Sequence, residues 1–307
     1  MTDLKETGQN KIGWDEIIQD EAVQKGTVQD EEIQDETVQN EAGEPLSPEK
    51  ISFYAGNAVT SRNVYLYSSV TSTNDVAKVM ASSIVISNTA VIAETQTARK
   101  GRNGRTFYSP PGGIYLSLSL LPDLGENEIL LLTTGIAVAA AQAIEETCGL
   151  QVQIKWVNDL YLHGKKVAGI LAEAHAGCFI AGIGVNMKLG ADGFPDDLAE
   201  KAGTLMNGGV EISRNRLAGA LIGHICRMAA GLEDRTGKYA RELLSEARRR
   251  SCVLGKDVAV EGYPLVKDGK AVEIDEHGFL IVEDNAGNRH TLNSGEVSLR
   301  KADGASW

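Results

Sequence analysis

Between Arg99 and Arg105 the chain places four cations in seven residues, interleaved with two glycines, in the run RKGRNGR. Glycine permits backbone conformations that other residues avoid, and exposed N–H groups on such a loop can wrap an anion. Arginine adds a planar fork that matches phosphate or carboxylate. The segment therefore reads as a phosphate clamp, with a solvated basic loop or a nucleic-acid contact as the alternatives. The aromatic and proline-rich stretch Phe107–Gly113 that follows favours a structured loop closing on a ligand.

Two further segments carry chemical potential. In Lys155-Trp156-Val157-Asn158-Asp159-Leu160 a lysine sits at the end of an expected strand, where one charge can enter a pocket and offset charge on phosphorus. The plainer reading is a surface lysine beside a buried tryptophan. In Gly182-Ile183-Gly184-Val185-Asn186 alternating glycines mark close approach of a ligand or of another backbone, with Asn186 placed to hydrogen-bond a ring; the plainer reading is tight strand packing.

These segments need strands and helices to hold them. Strands are expected at 64–67, 90–94, 114–120, 152–156, 167–173 and 179–185 from their apolar patterning. A helix opens at Ser72, whose spacing to Asp75 is that of a capping box, and runs through Met80. A long helix covers 128–148 and stops at Gly149. Residues 159–165 read as a hairpin-like connection turning at Gly164. Two more helices follow, one after the Ser213 cap and one over 239–250. From Val253 short β runs at 257–261, 271–275, 279–283 and 290–293, separated by turn signals, predict a small barrel of about fifty residues.

Charge is concentrated in one place. Residues 1–50 hold 14 Asp and Glu against 4 Lys and Arg, whereas the rest of the chain holds 28 against 26. In the first 47 residues an aliphatic-Gln pair recurs every five positions, a period that matches neither helix nor strand, so this acidic low-complexity tail is expected to be disordered; a marginal acidic helix is the alternative. Pro45 and Pro48 mark its end, and the domains expected are a tail at 1–50, a catalytic domain at 51–252 and a small β domain at 253–302. The first ten residues contain no apolar run, which predicts no signal peptide, and the longest apolar stretch, 129–144, is too short to span a bilayer. Cys148, Cys178, Cys226 and Cys252 lie far apart without zinc-ligand spacing, so reduced thiols and a cytoplasmic setting are expected.

Taken in order, Ser72-Thr73-Asn74, Gln96 with the RKGRNGR loop, KWVNDL, Gly169-Ile170-Leu171-Ala172-Glu173, GIGVNM and the terminal Gly295–Arg300 resemble the bacterial biotin–protein ligase family across roughly residues 64–300. The resemblance implies an α+β fold: a class II synthetase-like catalytic domain with a mixed sheet and helices, followed by a small SH3-like β-barrel. It implies that ATP activates biotin to biotinyl-5′-AMP, with Mg²⁺ expected, and that the biotinyl group passes to a lysine of a biotin carboxyl carrier protein.

The resemblance also implies residue roles. Ser72, Thr73, Asn74 and Gln96 line the biotin pocket. Lys100, Gly101 and Arg102 sit on a loop folding over the ligands, stabilised by Arg105. Lys155 contacts the biotin carboxylate and α-phosphate, so Lys155 and Arg102 are the catalytic candidates. Gly182, Gly184 and Asn186 form the floor, and Glu296 and Arg300 assist from the small domain. No metal ligands are assigned.

Four positions depart from the family pattern. Arg99 and Lys100 replace a glycine and an arginine in the loop, Val157 replaces a proline, and Phe107 replaces a tryptophan. A lipoate ligase or octanoyl transferase of the same superfamily is the nearest rival, and a non-catalytic nucleic-acid binder the rival from another class. The acidic first fifty residues lack the apolar pattern of a DNA-binding helix-turn-helix, so neither DNA nor membrane is expected as a partner; the resemblance admits a homodimer.

Overall fold

Ser47 and Pro48 open the first described helix of the computed structural model, which describes residues 44–83, 88–98, 101, 107–188, 193–206, 212–293 and 296–299. Ser47 caps helix α1 (Pro48–Tyr54) by accepting a hydrogen bond from the Lys50 N–H, and Pro48 occupies the first turn, where a missing N–H costs nothing. The folded body thus starts ahead of residue 51, and residues 44–50, assigned above to the tail, belong to it. The expectation for the preceding residues lies outside the described part.

The catalytic half is a seven-stranded sheet in the order β1-β2-β3-β7-β6-β5-β4. Its strands are β1 (Val64–Val70), β2 (Thr89–Gln96), β3 (Ile114–Leu120), β4 (Gln153–Lys155), β5 (Asp159–Leu162), β6 (Lys165–His175) and β7 (Cys178–Val185). Only β1 and β2 pair in parallel. The segment 159–165, read as a connection, is thus a strand, a turn at His163-Gly164 and the start of the next strand.

Period-two alternation sorts the two faces of this sheet. In β3, Ile114, Leu116, Leu118 and Leu120 join the large core under α4 (Leu132–Cys148) and α6 (Arg214–Leu232). Tyr115 and Ser117 point the other way, toward α2 (Thr73–Ser83), where Val76, Ala77 and Ala81 pack on Val91, Ala93 and Ile180. The long helix expected over 128–148 is interrupted at Leu131, with α3 (Glu126–Leu130) ahead of α4. Gly149 ends α4 at φ +67°, as expected of a helix-stopping glycine. A four-residue helix α5 (Asp196–Ala199) precedes α6, and α7 (Lys238–Arg250) closes this half.

The C-terminal residues form a five-stranded antiparallel sheet, order β11-β10-β9-β8-β12, from β8 (Asp257–Glu261), β9 (Asp268–Ile274), β10 (Leu280–Glu283), β11 (Arg289–Leu292) and β12 (Glu296–Leu299). Its buried Val258, Ile274, Leu280 and Val297 are continuous with the core of the catalytic half. Trp156 Nε1 donates to the Gly278 carbonyl at 2.9 Å, and Arg248 Nε donates to the Ile274 carbonyl at 2.8 Å. The mixed sheet with helices and the C-terminal β unit agree with the expected fold class.

Candidate active site

An open cleft lies on the α2 face of the sheet. Ser72, Thr73 and Asn74 enter from the start of α2, Gln96 from the end of β2, and Gly182, Ile183 and Gly184 from β7. Gly101, Phe107, Asn158, Lys166, Gly169, Ile170 and Leu171 complete the lining.

One end of the cleft is a relay of neutral polar groups. Gln96 Oε1 accepts from the Thr73 N–H at 2.9 Å and lies 3.2 Å from Thr73 Oγ1, while Gln96 Nε2 donates to Ser109 Oγ at 3.2 Å. Ser117 Oγ sits 2.8 Å from Thr73 Oγ1 and 2.5 Å from Asn74 Oδ1. Each member is tied to another, so the side chains are held before any ligand arrives. Burial pushes the Tyr115 phenol well above its ordinary range, so it stays a donor, here to the Pro110 carbonyl at 2.6 Å. That bond fixes the turn leading out of the loop that carries Phe107.

The other end carries a charge. Lys166 Nζ lies 2.6 Å from Asp159 Oδ1 on the neighbouring strand and 5.7 Å from the centre of the Phe107 ring. Phe107 stands edge-on to Tyr115, with centroids 6.4 Å apart.

The glycines of β7 explain themselves here. A Cβ on Gly182 would overlap Asn74 Oδ1, and one on Gly184 would overlap the Phe107 ring. A Cβ on Gly169 would come within 3.0 Å of Phe107 and 3.2 Å of Lys166 Nζ. The close approach expected of these glycines is therefore by side chains of this chain, an amide at one end and an aromatic ring at the other.

The structure brings together Ser72, Thr73, Asn74, Gln96, Gly101, Gly182 and Gly184, but two sequence-derived candidates fall elsewhere. Lys155 does not line the cleft. It sits on the edge strand β4, paired with Asp159, and its amine lies 3.4 Å from the Tyr161 hydroxyl and 5.4 Å from the Tyr161 ring. Two strand spacings, about 10 Å, separate its backbone from that of Gly169. Among the described residues, Lys166 is the lysine that lines the cleft.

Asn186 also stands outside the lining. Its N–H donates to the Val167 carbonyl at 2.8 Å and its amide to the Lys166 carbonyl at 3.5 Å, so it braces the strand bearing Lys166 instead of forming floor. Lys100, Arg102 and Arg105, with Arg99 and Arg300, lie outside the described residues. Glu296 begins β12, opposite Glu261.

A physical reason explains why Lys166 was passed over. Asp159 pairs with Gly169 and Leu160 with Ala168, but Tyr161 pairs with Lys166, so Val167 is an extra residue, a bulge. Strict alternation would put Lys166 and Gly169 on opposite faces; the bulge returns both to the same one. The carbonyl of that bulged residue is the one that accepts the Asn186 N–H.

Residues 66–189 match the biotin/lipoate A/B protein ligase family, and residues 253–300 match the biotin protein ligase C-terminal domain. The bifunctional ligase/repressor BirA of Bacillus subtilis is 33% identical over 253 residues, which cover 79% of this chain and 76% of that protein. The chain belongs to the biotin protein ligase family. The biotin–[acetyl-CoA-carboxylase] ligase of Mycobacterium tuberculosis is 31% identical over 229 residues, covering 71% of this chain and 81% of the other. Among solved structures, the Aquifex aeolicus biotin protein ligase in complex with biotin and ATP superposes with a TM-score of 0.69 at 28% identity, over 78% of this ligase and all of that chain.

Proposed function

We propose that this ligase joins biotin to ATP as biotinyl-5′-AMP and transfers the biotinyl group to a lysine of a biotin carboxyl carrier protein. One observation carries the reading: a single cleft holds a prearranged amide and hydroxyl relay at one end and the Lys166 amine at the other. A ligand with a hydrogen-bonding ring and an acyl carboxylate has both ends matched. The C-terminal match at 253–300 and the ligases named above favour biotin over lipoate.

In the first half-reaction a carboxylate oxygen of biotin attacks the α-phosphorus of ATP. The bond to the bridging oxygen breaks, and pyrophosphate leaves. Ser72, Thr73 and Gln96 orient the ring, and Lys166 offsets the negative charge that gathers where carboxylate and phosphate meet. The cations of the loop around Gly101, with Arg102 foremost, supply further positive charge over the adenylate. In the second half-reaction an uncharged carrier lysine attacks the acyl carbon, the acyl–phosphate bond breaks, AMP departs, and the amine gives up a proton. Positioning dominates that step.

Magnesium is expected with ATP, but the described residues offer no group of three or more carboxylates, cysteines or histidines to hold it, and Asp159 is committed to Lys166. No step is assigned to a metal held by the protein. No described helix is long and apolar enough to cross a membrane. The ligase reading requires no DNA partner, and the acidity of residues 1–50 opposes phosphate; it places the protein in the cytoplasm with its carrier.

The test is mass spectrometry of a biotin carrier domain after incubation with enzyme, ATP, Mg²⁺ and biotin. A mass increase of one biotinyl group, removed by mutating the acceptor lysine, is expected. Modification with lipoate alone would overturn the reading, and salt-dependent DNA binding would overturn the absence of a DNA partner.

A further inference from the structure

Behind the inner wall of the cleft stands an ion pair that the two half-reactions do not use. Glu173, near the end of β6, takes the Lys78 amine of α2 on one carboxylate oxygen at 2.6 Å and an Asn74 amide proton on the other at 2.7 Å. The second amide proton of Asn74 goes to the Leu171 carbonyl at 3.1 Å. Both donors of the Asn74 amide are thereby spent inside the protein.

An asparagine amide is nearly symmetric in shape, so its partners decide which end faces where. An ionised carboxylate only accepts, so only the NH₂ end of Asn74 can face Glu173. The carbonyl end must then face Gly182 and Ser117, where Asn74 Oδ1 lies 2.5 Å from Ser117 Oγ.

This polarity propagates along the wall. Ser117 has one hydroxyl proton, and Asn74 Oδ1, a pure acceptor, takes it. Thr73 gives its own proton either to Ser117 Oγ at 2.8 Å or to Gln96 Oε1 at 3.2 Å, and both partners are within the protein. What Thr73 and Asn74 present to a ligand is therefore lone pairs, with Ser117 buried behind them. The geometry points to Glu173 and Lys78 as positioning residues that make this end of the cleft an array of acceptors, selecting a ligand ring with N–H donors and rejecting a ring with none.

This inference rests on the biotin reading. The ureido ring of biotin carries two N–H groups, whereas the dithiolane ring of lipoate carries none. A site built to pair polar groups discriminates strongly against the analogue that leaves them unpaired.

The experiment is biotin-dependent ATP–pyrophosphate exchange with the parent enzyme, E173Q and K78R, using biotin and an N-methylated biotin that lacks one ureido N–H. Gln at 173 offers a donor as well as an acceptor, which leaves the Leu171 carbonyl as the remaining obligate acceptor holding the Asn74 amide in this orientation and weakens that hold. In E173Q the KM for biotin is expected to rise about tenfold or more, with kcat close to the parent value.

The decisive readout is the penalty for N-methylation. It is large in the parent, reduced in E173Q, and retained in K78R, which keeps the charge. A merely structural role would lower turnover of both compounds by the same factor, and an equal penalty in parent and E173Q overturns the inference. Should E173Q fail to fold, K78M carries the same comparison, because it removes the counter-charge that holds Glu173 in place. Parent enzyme that exchanges pyrophosphate with lipoate and not with biotin would overturn the biotin reading and this inference together.

Discussion

Lys166 Nζ and Asp159 Oδ1 meet at 2.6 Å across two neighbouring strands, and the bulge at Val167 is what turns that lysine toward the cleft. Lys166→Ala is expected to lower adenylate formation by about 10²–10³-fold with the fold intact. Lys155→Ala, beside Tyr161 and outside the cleft, is expected to cost far less. Single-turnover formation of labelled biotinyl-AMP measures both, and equal losses would return Lys155 to the mechanism.

Gly184 and Phe107 form a testable couple. A methyl group on Gly184 overlaps the ring, so Gly184→Ala should cost about 1–3 kcal/mol in denaturant stability. In a Phe107→Ala background the same substitution should cost close to nothing. A double-mutant cycle without coupling would mean the ring rests elsewhere.

Trp156 links the catalytic half to the C-terminal sheet through the Gly278 carbonyl. Trp156→Phe keeps the apolar packing and drops the donor, leaving a buried carbonyl unpaired. A loss of about 1–2 kcal/mol in urea unfolding followed by circular dichroism is expected.

Glu246 gives the acid limb of stability a local contributor. Its hydrogen bond from Arg249, helped by Arg250, holds its carboxyl down at about 2 from an ordinary 4.5. A depressed carboxylate stabilises the fold above its unfolded value, and the contribution drains away as pH falls through the window from about 4.5 to about 2. Glu246→Gln should therefore lower Tm at pH 6, by the equivalent of about 1 kcal/mol, and the difference from the parent should vanish near pH 2.

The sequence made the β-strand and helix plan legible wherever periodicity was unbroken. The alternation of Ile114–Leu120 and the stop at Gly149 both appear where expected. The polar end of the cleft was equally legible, because Ser72–Asn74 and Gln96 are short side chains whose positions follow from the ends of α2 and β2. The charged end was not. Which of Lys155, Lys165 and Lys166 faces a ligand depends on a one-residue bulge, and nothing in the residue types around Val167 announces it. Glu173 and Ser117 escaped for a related reason: their partners lie across the sheet, 99 and 43 positions away from or back to Asn74. The start of the fold was misplaced because the two prolines read as a border, while Pro48 after Ser47 is equally a helix opening.

One contact bears on how the chain assembles as it is made. Asn215, buried in α6, accepts the Ser47 N–H at 2.8 Å and donates to the Pro45 carbonyl at 3.0 Å, closing a loop of 168 residues. On a ribosome α1 has no seat until α6 has been synthesised, so the first described helix is among the last to dock. Closing so long a loop adds little extra entropy beyond a loop half its size, but it ties the N-terminal border to the completion of the core.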